Sequence, residues 1–145
     1  MSGFAFWAIQ IPGWLLFVYL GIAQCTSAVS YSWGVRMGTQ EPADRITEVG
    51  VAFFKGYAGA DLLIYVPLLG LGLIAHAMTL PWSAVVLGAA LGITVYWPIA
   101  CLWTVKAARN AKDWDLPKEE QYWIVLPAIS GWGVLGLAVL LLQGV

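Results

Sequence analysis

The sequence predicts an all-α integral membrane protein, a four-helix bundle built from two transmembrane hairpins. Three observations carry this. Charged residues fill only 10% of the 145 positions, against about 25% in a typical soluble domain. Seven basic and eight acidic side chains cannot cover the surface of a water-soluble globule of this size. Mean hydropathy is +0.79, and the apolar residues fall into four stretches, each long enough for the roughly 20 residues that cross about 30 Å of hydrocarbon. A soluble enzyme and a disordered tail are excluded. A net charge of −1 leaves no basic footprint for nucleic acid. The lipid bilayer is the first partner, and residues 1–145 read as one transmembrane domain.

The first apolar stretch covers residues 4–34, longer than one crossing and too short for two. Pro12, with Gly13 and Trp14 behind it, predicts a helix start there, because proline fits the first helical turn. The first span is therefore expected at about 12–34, with residues 4–10 in the interface or extending the helix. The apolar start reads as a permanent helix, since no basic segment or small-residue cleavage site accompanies it. A polar loop follows at 35–48. The second span covers about 49–78, long enough to demand tilt, and Pro67 inside it frees a carbonyl one turn earlier. Residues 79–81 form a tight turn. The third span is expected at 82–107, with Pro98 as a kink. A second polar loop fills 108–120, and the fourth span covers 121–142, with Pro127 inside.

Four crossings place both termini and the 79–81 turn on one side and the two polar loops on the other. All seven basic residues (Arg36, Arg45, Lys55, Lys106, Arg109, Lys112 and Lys118) belong to the loop side. Lysine and arginine in short loops set orientation, so both loops are expected in the cytoplasm and both termini outside a cell membrane. Tryptophans agree: Trp7, Trp14 and Trp82 mark the outer interface, and Trp33, Trp103, Trp114 and Trp123 the inner one. Trp97 and Trp132 lie deeper, packing in the bundle or lining a pocket.

Asp61 is the costly residue. An acid in a span costs about 2.5–3.5 kcal/mol on insertion scales, and such residues face the bundle interior. Tyr57 and Tyr65, four residues to either side, share its stripe and offer hydroxyl donors. Lys106 and Lys55 are the candidate charge partners. Lys106 is the better placed, since Lys55 stands about 240° round the same helix and can snorkel to the headgroups. Gln24, Cys25, Thr26, Ser27 and Ser30 in span one, and Thr94, Tyr96, Cys101 and Thr104 in span three, lie at a similar depth. A polar cleft in the loop half is expected, centred on Asp61, with Tyr57, Tyr65, Tyr96, Gln24 and Trp97 binding a ligand.

Other residues read more simply. Ala84, Gly88 and Gly92 make a small-residue row on span three, suited to close helix contact within the chain or in an oligomer. Gly56 and Ala60, and Gly131 and Gly133, offer the same. His76 reads as an interfacial histidine. One histidine cannot supply two axial haem ligands, and Cys25 and Cys101, far apart, make no metal or redox motif. No metal site is expected, and no cofactor is indicated. Three functions fit: a protein that binds or transports a small apolar or cationic ligand through a cytoplasm-facing cleft; a structural or accessory subunit of a larger membrane complex or homo-oligomer; and an enzyme acting on a lipid-like substrate, which would need a second polar group within reach of Asp61.

Overall fold

The computed structural model describes residues 3–142, and all regular structure among them is helical. The helices are α1 (Gly3–Val29), α2 (Tyr31–Arg36), α3 (Glu48–Ala60), α4 (Val66–Ala77), α5 (Ser83–Ala108) and α6 (Glu119–Leu142), with a π-helical turn at Asp61–Tyr65 joining α3 to α4. Four stretches are long and apolar enough to cross a membrane: Gly3–Val29, Glu48–Ala77, Ser83–Ala108 and Glu119–Leu142. The chain is thus a multi-pass membrane protein with four antiparallel helices.

The first span starts about nine residues earlier than the sequence suggests, and it ends at Val29 instead of near 34. Ser30 is extended (φ −152°, ψ 104°), and the chain then re-enters the short α2. Pro12 sits inside α1, not at its start. A proline there cannot donate to the carbonyl four residues back, Ala8. That carbonyl accepts from Trp132 Nε1 of α6 at 3.0 Å. An interhelical bond thus replaces the missing intrahelical one, as hydrocarbon requires.

Pro67 has a similar local effect. The turn before it widens, and Val66 N–H reaches back five residues to Asp61 C=O. Pro67 thus lies inside one continuous helix, Glu48–Ala77, and its missing N–H is accommodated by this local widening of the ladder. α4 ends in a Schellman pattern: Leu80 N–H bonds Ala75 C=O and Thr79 N–H bonds His76 C=O, with Thr79 left-handed at φ 54°. Pro81 follows and starts the turn into α5.

Neighbouring helices run in a steady register. Gln24 lies opposite Asp61, Phe17 opposite Gly70 and Gln10 opposite His76 along the α1–α3/α4 seam. The α4–α5 seam is close at Gly72, where a Cβ would stand 2.9 Å from the Leu87 Cα. Gly133 and Gly136 of α6 take the Leu91 turn of α5. The expected row on α5 is not used this way: a Cβ on Gly88 or Gly92 would meet nothing within 4 Å, and the same holds for Gly56 and Gly131.

Two apolar clusters result. The larger holds Ile9, Leu16, Leu20, Tyr65, Leu69, Leu73, Leu87 and Leu91. The smaller lies at the loop end and gathers Tyr31, Ile46, Val105 and Leu116, with Trp114 and Tyr122 against it. There the two polar loops dock: Asp115 N–H bonds Arg45 C=O at 2.7 Å, and Arg45 pairs with the Asp115 carboxylate at 2.7 Å. Arg109 pairs with Glu119 at the start of α6.

Candidate functional site

Between the clusters the bundle does not close. Towards the terminal end α1 and α6 are clasped by the Trp132–Ala8 bond. Towards the loop end Ala23 and Gln24 of α1 and Tyr122, Leu126 and Ile129 of α6 border a cavity of about 330 Å³ instead. That volume falls at the small end of ligand pockets, about 300–1,000 Å³. Residues of the 37–47 loop and Pro117 and Lys118 form its mouth.

Asp61 stands on the wall, at the first residue of the π-helical turn. Single π-helical turns inside α-helices recur at functional sites. Asp61 is 8% exposed. Its Oδ2 accepts from Gln24 Nε2 at 2.7 Å. No donor among the described residues reaches its Oδ1, and no cation pairs with it. A buried carboxylate with one neutral donor is under-satisfied.

Of the residues expected here, Asp61, Gln24, Tyr57 and Trp97 do border one cavity, joined by Cys101. Trp97 Nε1 is buried with no hydrogen-bond partner among the described residues. The others depart. Tyr65 is committed elsewhere: Thr94 Oγ1 donates to Ala90 C=O, so Tyr65 Oη donates to Thr94 Oγ1 at 2.6 Å. Tyr96 is 68% exposed on the outer face of α5. Lys106 points outward and lies over the Trp103 ring at 4.9 Å, a cation–π contact in place of the expected pairing with Asp61. Lys55 is also exposed. The helix hydroxyls of Thr26, Ser27 and Thr104 bond carbonyls of their own helices.

Glu41 was not legible as a site residue, since its stretch of the chain reads as solvated loop. It is 7% exposed and borders the same cavity. Tyr122 Oη donates to its Oε1 at 3.1 Å, and Tyr31 Oη donates to its backbone carbonyl at 3.0 Å. Burial and then the Glu41 charge push the Tyr31 hydroxyl from 10.0 up to about 12. Tyr19, Phe53, Phe54 and Tyr122 complete an aromatic wall. Nothing in the spacing of these rings sets them apart in the sequence.

His76 is another departure. It is buried, not interfacial, with Phe6 stacked on it at 5.5 Å. Trp14 Nε1 donates to Gln10 Oε1 at 2.9 Å, which fixes the amide so that Gln10 Nε2 donates to Leu73 C=O and to His76 Nδ1. His76 Nδ1 is therefore an acceptor, and the ring hydrogen sits on Nε2. Trp132, the other deep tryptophan, serves the α1–α6 clasp and is not a cavity residue. Among the described residues no group of three His, Cys, Asp or Glu side chains is placed to hold a metal ion. Comparison of the chain with protein-family models, with curated proteins and with solved structures found no match.

Proposed function

We propose that this membrane protein binds a small molecule in the cavity beside Asp61, as a binding or transport protein whose cavity mouth faces the cytoplasm. The observation that supports it is a buried carboxylate with one oxygen left free on the wall of an aromatic-lined cavity. An acid inside a membrane bundle is costly and is most often tied to a pathway or ligand. The orientation rests on the lysines and arginines clustered at the loop end. Native mass spectrometry of the protein extracted mildly into nanodiscs tests the reading. A discrete non-lipid mass on the wild type, lost in Cys101→Phe, which places a ring in the cavity, is the expected result. Identical bound masses on the two proteins would overturn it.

A second reading, as a subunit of a homo-oligomer or larger complex, is favoured by one observation: Gly88 and Gly92 keep an open face on α5 that none of the described residues fills. Stoichiometric polypeptides or multiples of the chain mass in the same spectra would support it, and a lone chain would count against it. The enzyme reading gains no such observation, because the group bonded to Asp61 is the amide of Gln24.

A further inference from the structure

We infer that the occupant of the cavity is an organic monocation, an amine or quaternary ammonium compound with an apolar body, held by Asp61 with Glu41 at the mouth. The inference rests on the binding reading above and names the ligand class. Its basis is the charge balance of the cavity. Two carboxyl side chains border it, each more than nine-tenths buried, and each has one neutral side-chain donor among the described residues, Gln24 for Asp61 and Tyr122 for Glu41. The one cationic side chain on the wall is Lys118 at the mouth, and it pairs with neither acid among the described residues. A cation entering from water meets attraction that low-dielectric walls strengthen.

The walls select the kind of cation. Hard metal ions need six or more oxygen ligands, or a compact set with bound waters. Asp61 offers one free oxygen, and the described residues contain no metal-holding group. Phe54, Tyr57, Trp97 and Tyr122 offer ring faces and edges instead. Aromatic surfaces attract weakly hydrated organic cations and bury their hydrocarbon parts. An anion would face two like charges, and a neutral guest would leave both carboxylates without a counter-charge.

The test uses the protein in nanodiscs and two probes of one shape, trimethylphenylammonium and tert-butylbenzene. Saturation-transfer NMR reads binding, with empty nanodiscs as background. The cation is expected to bind about tenfold or more tightly than the neutral isostere. Asp61→Asn is expected to weaken the cation about tenfold or more and leave tert-butylbenzene unchanged. Glu41→Gln should weaken the cation by a smaller factor, and it carries the test should Asp61→Asn not fold. Equal binding of both probes, each lost in Cys101→Phe, would overturn the cation assignment and leave the binding site standing. Binding of neither probe, or cation binding that Cys101→Phe does not reduce, would overturn the site as well.

Discussion

In the half of the bundle nearest the 79–81 turn, one side chain, Gln10, serves Trp14, Leu73 and His76 at once. In the half nearest the charged loops, among the described residues the Asp61 carboxyl has Gln24 alone and the Glu41 carboxyl has Tyr122 alone. The first half surrounds its polar groups with leucines of no exposure, Leu69, Leu73, Leu87 and Leu91. The second surrounds them with rings and empty volume. A membrane bundle gains little from burying leucine, because lipid is equally apolar, so closeness of packing and satisfied hydrogen bonds decide which contacts hold it together. By that measure the terminal half is built for stability. The loop half retains charges that a stability-driven design would remove.

The largest effect should come from striking the tightest glycine contact with backbone. Gly72→Val would push a side chain into the Leu87 backbone, which cannot yield as a side-chain tip can. It is expected to abolish a monodisperse folded peak in size-exclusion chromatography, whereas Gly88→Val, with open space before it, should leave the monomer's melting temperature unchanged. Equal behaviour of the two variants would break the comparison.

Next is Gln10→Leu, which strands the Trp14 and His76 ring nitrogens together. With about 0.6 kcal/mol for a membrane hydrogen bond and about 1–3 kcal/mol for a buried polar group left unsatisfied, a loss of about 2–3 kcal/mol is expected in reversible unfolding in mild detergent. Asp61→Asn should go the other way. Asparagine can keep the Gln24 bond without a buried charge, so stability should hold or rise by about 1 kcal/mol. A clear loss of stability would make Asp61 a structural lock.

The smallest effect concerns the loop end. Tyr31 has a hydroxyl raised to about 12 in the fold against 10.0 for the free group. The fold favours its neutral form, so this contribution is intact below about pH 10 and disappears as pH rises through about 12. The melting temperature should fall across that window, and Tyr31→Phe should flatten part of the fall.

The four spans, the paired loops and the inward placement of Asp61 are legible in the sequence, because hydropathy and charge act over long windows that chance seldom imitates. What is not legible depends on partners distant in sequence. Pro12 has the look of a helix start because its missing N–H is harmless there, and only the ring of Trp132 makes an interior position tolerable. Lys106 looks like a counter-charge for Asp61 by depth alone; its direction around α5 turns it to Trp103. Glu41 looks solvated until α2 and α6 bring Tyr31 and Tyr122 over it.

The Trp132–Ala8 clasp has a consequence for how the chain comes to be made. Donor and acceptor are 124 residues apart, so α1 leaves the ribosome long before the indole that completes it. Until then the Ala8 carbonyl must borrow a donor from water or headgroups or wait unbonded, since a carbonyl left unbonded in hydrocarbon costs several kcal/mol. The bond between the first and last helices can therefore form only after α6 has been made.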